Sequence, residues 1–337
     1  MSDSIAFLDL PDGRRLTGYG PFRTTSAVPA SGVAFYRNDF GLTSAEPWWI
    51  PRRWELSQGP VESLALMAES PACEWEAPDA SGFAAVFQEI SAAIRAGSFE
   101  KTVPVVVEYG TLEAGPGHAL LEAAAHSAGR LMGYGFSDGE SGFAGASPES
   151  LFSLSGGVLH TMALAGTARA EEREVLAVDD KEIREHEYVA QAIVSKLGDI
   201  GHVRRGPRVI MELGSIVHFH TPIEVELADA ESPAALVRRL HPTPALGPLP
   251  RTPETMQQLI GWRRRLGTPE DFGAPFGALL EGGEFHAIVA IRGLWWQGRD
   301  LRLPAGCGVI EASRLVNEWR ELRLKREAVK TRFGYFP

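Results

Sequence analysis

Two stretches of the chain place carboxylates in a pattern that suits a hard cation. In KEIREHEYV, Glu182 and Glu185 stand three residues apart in a segment of helical periodicity, so they share one helix face. In NEWRELRLK, Glu318, Glu321 and Lys325 fall in a single stripe of a helix that turns by about 100° per residue. Magnesium takes oxygen ligands, few of them from protein and the rest from water and substrate. Spacing alone favours the plainer account, two solvated charged faces, because such pairs are common on helix surfaces. Lys101 lies where a helix gives way to a valine-rich strand. It reads either as a snorkelling surface lysine or as a desolvated amine able to act as a base. Glu149, in GASPESL, follows a Gly-Ala-Ser-Pro turn into a strand and reads as a turn acid or a general acid. Leu164-Ala-Gly-Thr167 and Ala305-Gly-Cys-Gly308 are turns that could offer N–H groups to a carboxylate, a weak signal alone. His218 and His220 alternate along VHFHTP and so face opposite sides of a strand. A pair so spaced is ordinarily structural, and no other cluster points to zinc.

These groups need elements to hold them. Phe83, Val86, Phe87, Ile90, Ala93 and Ile94 recur at helical spacing and Gly97 ends the run, as a glycine after a helix does. Further helices are expected over residues 118–128, 181–197, 233–240, 253–264 and 313–332. Residues 102–109, TVPVVVEY, read as a buried strand. Other strands are expected over 131–136, 151–154, 158–163, 208–212, 216–225 and 285–296. Residues 20–80, rich in Pro, Ser and Trp, read as short strands and loops, with strands at 33–36 and 48–50. Strands separated by turns, with helices between them, indicate an α+β protein with large, mainly antiparallel sheets in one domain.

Bulk properties narrow the class. The 337 residues are 44% hydrophobic, enough for a large core, and the formal net charge is −10. That charge argues against a nucleic-acid binder, which needs clustered Lys and Arg. An anionic substrate would need a local basic pocket. Cys73 and Cys307 make neither a disulfide framework nor a cysteine metal site. No secretory signal and no run of 18 apolar residues is visible, so no membrane association is expected and a cytoplasmic location is.

Nine segments, in order, resemble the chorismate-utilising enzymes, a family that includes anthranilate synthase large subunit, aminodeoxychorismate synthase, isochorismate synthase and salicylate synthase. They are FEKTVPVV, GFAGASPESL, MALAGTARA, KEIREHEYV, IVHFHTPI, LHPTPALGPLP, AIVAIRG, PAGCGVIEAS and NEWRELRLK, within residues 95–330. The resemblance implies a single large domain of two mainly antiparallel sheets packed together and flanked by helices, the anthranilate synthase component I-like fold. Residues 81–337 would form the chorismate-binding catalytic core, and residues 1–80 a divergent N-terminal part of the same fold. It also implies roles. Glu185 and Glu321 resemble the magnesium ligands, with Glu182 and Glu318 as further ligands or holders of bound water. Lys325 and the N–H groups of Gly166 and Thr167 resemble contacts to the ring carboxylate of chorismate. Arg292, with the backbone at Gly306 and Gly308, resembles a clamp on the enolpyruvyl carboxylate, for which a guanidinium fork is well shaped. His218 and Thr243 resemble pocket residues.

Within the family, lysine rather than glutamine at position 101 marks the water-using branch. Ala165-Gly166-Thr167 stands where enzymes with a nucleophilic lysine read Lys-Gly-Thr. AQAIVSKLGDIG lacks the Arg-Asn-Asp continuation usual in ammonia-using members. The resulting expectation is isochorismate synthase: magnesium-dependent isomerisation of chorismate, by addition of water at C2 and loss of the C4 hydroxyl. Lys101, neutral when it acts, would be the base and Glu149, protonated, the acid. Salicylate synthase, which goes on to eliminate pyruvate, stays open as an alternative. So do an ammonia-using aminodeoxyisochorismate or anthranilate synthase-like enzyme and an inactive chorismate-binding homologue. The pathway served, menaquinone, siderophore or specialised metabolite, stays open too, and a monomer is expected. Two positions depart from the family pattern. Phe272-Gly-Ala274 stands where Tyr-x-Gly is usual, removing a hydroxyl contact to the enolpyruvyl carboxylate, and Pro248 replaces a glycine in HPTPALGP.

Overall fold

The computed structural model describes residues 4–58, 72–115, 119–126 and 130–335. Among them, two antiparallel sheets carry the architecture. The first runs in the order Arg53–Gln58, Arg14–Tyr19, Ile5–Asp9, Met132–Ser137, Ser141–Ser147, Gly293–Gln297, Asp300–Gly306, Val105–Leu112, Cys73–Trp75. The second runs Gly201–Arg205, Ile216–Leu227, Val158–Arg169, Ser150–Ser155, Phe285–Val289, Pro275–Leu279, Ala34–Arg37, Trp48–Ile50, Arg23–Thr25, with Val209–Leu213 also paired to Ile216–Leu227.

The sheets pack face to face because their strands are apolar on both sides. Val105 and Val107 face the core between the sheets, while Val106 faces a second, helix-covered core. This is the period of two that a pleated strand imposes. Phe35, Phe136, Phe143, Phe276 and Trp295 interlock between the sheets. The Phe143 and Phe276 rings meet edge to face at 5.5 Å and 89°, an arrangement aromatic quadrupoles favour. Each such ring, fully buried, stabilises the fold by about 3 kcal/mol. Helices Ala80–Arg95, Asp180–Leu197, Pro233–Leu240 and Pro253–Arg265 cover the outer face of the second sheet. Ala119–Ala125 and Leu315–Arg332 cover the first. Leu322 of the latter also enters the second sheet's core, so this last helix straddles both layers.

The α+β, two-sheet expectation holds, with two corrections. Residues 285–296 are two strands: Phe285–Val289 lies in the second sheet and Gly293–Gln297 in the first. Both halves are buried on both faces, so their apolar run is continuous and hides the crossing. Gly145-Ala-Ser147 is the end of a strand, and only Pro148 and Glu149 turn. The glycines there serve close packing: a Cβ on Gly145 would stand 2.6 Å from the Tyr134 hydroxyl. The short strands expected at 33–36 and 48–50 are Ala34–Arg37 and Trp48–Ile50, and Arg23–Thr25, Arg53–Gln58 and Cys73–Trp75 add to them, so this part of the chain enters both sheets. The expected helix over 118–128 is Ala119–Ala125, and positions 118, 127 and 128 lie outside the described residues. Both cysteines are free. No helix among the described residues is long and apolar enough to cross a membrane.

Candidate active site

The helix Asp180–Leu197 begins at Asp179, whose carboxylate accepts the Glu182 N–H at 3.0 Å. Its N-terminal dipole favours the acids of its first turns. His186 Nε2, 2.8 Å from Thr221 Oγ1, ties the helix to the strand Ile216–Leu227 and so fixes the neighbouring Glu185. The C-terminal helix supplies Glu318 and Glu321. Neither acid pair is a solvated face, since Glu185 is 5% and Glu318 1% exposed. The two pairs converge, and a cation stands between them. Lys181 Nζ lies 2.8 Å from Glu182 Oε1, 3.0 Å from Glu185 Oε2 and 3.3 Å from Glu318 Oε1. Burial pushes the carboxyl of Glu185 up, but Lys181 and Lys101 outweigh it and hold it well below the usual range. Burial, aided by the neighbouring carboxylates, pushes Glu182 and Glu318 upward.

Lys101 is fully buried. Its backbone bridges Leu249, and Thr102 bridges Val309. Its Nζ donates to the Pro244 carbonyl at 2.6 Å and lies 3.2 Å from Glu185 Oε1. Glu185 therefore joins two lysines, one through each oxygen. Glu149 sits on the short link between Ser141–Ser147 in one sheet and Ser150–Ser155 in the other. Its N–H donates to Ser147 Oγ at 3.2 Å, and its side chain accepts from Thr243 Oγ1 at 3.2 Å. Burial raises its pKa from 4.5 to about 7, against the opposing Thr243 bond and nearby Lys101, Lys325 and Arg292. A carboxyl so poised is a proton donor near neutrality.

These groups surround a cleft of about 640 Å³ lined by Glu149, Gly166, Thr167, Glu185, His218, Arg292, Gly306, Gly308, Glu321 and Lys325, with Leu246, Phe272 and Ile291 as apolar wall. Gly166 is a β-bulge residue between Val158–Arg169 and Ile216–Leu227, at φ +76°. It turns the strand backbone toward the cleft, which needs a residue at ease with positive φ. Arg292 has φ 59°, a conformation rarely adopted by non-glycine residues and concentrated at functional sites. It stands where the chain passes from one sheet to the other, so the crossing delivers the guanidinium to the cleft. His218 Nδ1 donates to the Gly166 carbonyl at 2.8 Å, and its Nε2 accepts from Arg292 at 2.8 Å. Burial, with Arg292 and Lys325 nearby, keeps this imidazole neutral, so His218 aims Arg292. Burial lowers Arg292 to about 10, leaving it charged at neutral pH. Lys325 pairs with Glu321 at 2.5 Å and donates to the Gly306 carbonyl at 2.8 Å.

Not every expected site residue lines this cleft. Thr243 stands behind Glu149. The Thr167 N–H is taken by Glu182 Oε2 at 2.9 Å. Glu182 and Glu318 face a neighbouring outer cleft, which shares Thr167 and Glu321 with the first. Lys101 is covered by Gly308 and Glu185: a Cβ on Gly308 would stand 1.8 Å from Glu185 Oε1 and 2.8 Å from Lys101 Cε. Gly308→Ala is therefore expected to cost about 1–3 kcal/mol by overpacking and to displace Glu185. Chemical denaturation checks this, and unchanged stability would contradict the close packing. The residue missed from sequence is Lys181. Its signal was the Lys-Glu-x-x-Glu spacing, which sets the ammonium one turn before Glu185.

A family model described as chorismate binding enzyme matches residues 50–334. The chain belongs to the chorismate-binding enzyme family. Isochorismate synthase MenF of Bacillus subtilis (strain 168) is 33% identical over 214 residues, 57% of this chain and 42% of that protein. The salicylate biosynthesis isochorismate synthase of Pseudomonas aeruginosa is 35% identical over 205 residues, again 57% and 42%. These matches thus span less than half the length of the curated relatives. Among solved structures, the putative 2,3-dihydroxybenzoate-specific isochorismate synthase DhbC from Bacillus anthracis superposes with a TM-score of 0.83. It is 21% identical and the match covers 99% of this chain and 97% of that one, a likeness of fold.

This chorismate-binding enzyme offers magnesium a suitable donor set. As they stand, no three His, Cys, Asp or Glu side chains among the described residues are arranged to hold a metal ion, and the Lys181 ammonium lies among Glu182, Glu185 and Glu318. The space is nevertheless already a cation site. Glu318 Oε2, buried, has no hydrogen-bond partner, and carboxylate oxygens are the ligands magnesium prefers.

Proposed function

We propose that this protein is an isochorismate synthase that converts chorismate to isochorismate with magnesium. The observation that carries the reading is Glu149, a buried carboxyl with a pKa of about 7, lining an anion-binding cleft against whose wall the buried amine of Lys101 packs. Chorismate carries two carboxylates, and the cleft holds two cations for them, Arg292 and Lys325. Arg292, aimed by neutral His218, takes the enolpyruvyl carboxylate beside the backbone of Gly306 and Gly308. Lys325 and the N–H of Gly166 take the ring carboxylate. The Thr167 N–H joins them once Glu182 turns away from it. Phe272 supplies an apolar wall where relatives carry a hydroxyl.

In the reaction, Lys101 removes a proton from water as its oxygen bonds to C2. The ring double bonds shift, the C4–O bond breaks, and Glu149 gives its proton to the departing hydroxyl. One water enters and one leaves, so the change is an isomerisation. Glu185 must release Lys101 for the amine to meet that water. Glu182, Glu185, Glu318 and Glu321 would hold magnesium, which when bound would neutralise their charge and orient the ring carboxylate. We assign residues 81–337 to the catalytic core and residues 1–80 to a divergent part of the same domain, and take the enzyme to work as a cytoplasmic monomer.

The test is chorismate and magnesium with purified protein, the products resolved by chromatography and NMR. A new isomer of unchanged mass without pyruvate is the expected result. Salicylate with stoichiometric pyruvate would move the assignment to salicylate synthase. An aminated product formed only with ammonia would remove the water-using reading, and chorismate binding without turnover would leave an inactive homologue.

A further inference from the structure

Lys181 has no part in the reaction just described, yet it occupies the centre of the acid cluster. Its ammonium contacts Glu182, Glu185 and Glu318 at 2.8, 3.0 and 3.3 Å. These are three of the four carboxylates assigned to magnesium. A magnesium ion needs oxygens at about 2.0–2.1 Å, and an ammonium among the same oxygens would repel it. The two cations exclude one another.

The surroundings provide for exchange. Unlike Lys101, which is sealed, the Lys181 side chain is 18% exposed. It also lines the outer cleft of about 900 Å³, whose wall includes Glu172, Asp179 and Glu321. A flexible four-carbon stem lets the ammonium swing outward without moving the helix, and Glu172 and Asp179 offer it carboxylates there. The outer cleft is lined by Glu182 and Glu318 and meets the anion pocket at Thr167 and Glu321, so the cluster can be reached through it. Glu318 Oε2, the buried oxygen with no partner, shows that the lysine satisfies the cluster incompletely.

We infer that Lys181 is a tethered stand-in for the divalent cation, holding the glutamates together in the metal-free enzyme and leaving for the outer cleft when magnesium binds. The inference rests on the reading of the four glutamates as the magnesium site. It makes metal affinity a competition, in which the apparent dissociation constant is the intrinsic one divided by the fraction of molecules with the cage free.

The experiment is calorimetric titration of magnesium alone, without chorismate, into the wild type, Lys181→Met and Glu321→Gln, with thermal unfolding of each with and without the metal. Lys181→Met is expected to bind magnesium about tenfold more tightly than the wild type. It should also unfold at a lower temperature without metal and recover when magnesium is added. Lys181→Gln, which keeps hydrogen-bond donors but not the charge, is run alongside in case the methionine variant folds poorly, and a variant that folds only with magnesium supports the inference. Unchanged or weaker binding in the lysine variants, with binding lost in Glu321→Gln, overturns the stand-in and leaves the metal site standing. Binding that is absent from wild type and lysine variants alike, or unaffected by Glu321→Gln, overturns the metal site and the stand-in together.

Discussion

Lys101→Gln is expected to lower kcat by about a hundred- to ten-thousandfold, the usual contribution of a positioned general base, while the protein stays folded. The amine is fully buried, with Nζ on the Pro244 carbonyl and on Glu185. The two amide hydrogens of glutamine can serve that carbonyl and Glu185 Oε1, while Glu185 Oε2 keeps Lys181 as a partner, so the fold is expected to hold. A neutral amide cannot take a proton from water. Arg292 and Lys325, the cations proposed to hold the two carboxylates, are untouched, so KM for chorismate should move far less than kcat. Steady-state kinetics with a thermal melt decide the matter. Near-normal turnover would remove Lys101 as the base, and a collapsed melt would make it a structural residue.

Glu149→Gln should cost a similar factor in kcat and at the same time stabilise the protein above neutrality. In the unfolded chain this carboxyl ionises near 4.5, whereas in the fold burial keeps its proton until about pH 7. The unfolded state therefore sheds its proton first, and the folded state loses stability as pH rises from about 4.5 to 7. The penalty is on the order of 3 kcal/mol at pH 8. Glutamine cannot ionise, so the variant should melt higher than the wild type at pH 8 and gain nothing at pH 4. The same proton sets the alkaline limb of the wild-type rate, which should fall about tenfold per unit once pH exceeds the pKa. Thr243→Val removes a hydrogen bond that favours the ionised form, and should move that limb to higher pH. A Thr243→Val limb that stays put or moves down would detach the pH profile from Glu149.

How much of this was legible in the sequence depends on the range of the interaction. The glutamate helix is legible from its helical periodicity, and its bounds, Asp180–Leu197, fall within one residue of those expected. The valine strand is legible for the same reason, because local periodicity follows directly from backbone geometry. The family resemblance carried further and named residues that do come together, among them Glu149, Glu185, His218, Arg292 and Lys325. The strands Ser141–Ser147 and Asp300–Gly306 were not legible. Their glycines, alanines and prolines lower strand propensity, and in Ser141–Ser147 the Tyr134 and Trp296 rings packed against Gly145 and Gly142 explain why small residues are needed.

Charge state and contact belong to the tertiary structure. From helical spacing the two glutamate pairs were better read as solvated faces, and burial of both against one ammonium reversed that. Nothing local distinguishes an exposed carboxyl from Glu149, whose raised pKa comes from dehydration by residues far away in the chain. The bend at Arg292 was hidden inside an unbroken apolar run, since both sheets bury it equally. Sequence thus determined the long helices, about half of the strands and the identity of the chemical groups, because those depend on neighbours within a few residues. Tertiary structure alone decided which carboxyl keeps its proton, which lysine is sealed from water and which cation stands among the acids, because desolvation and Coulomb energy depend on distance in space and not on separation along the chain.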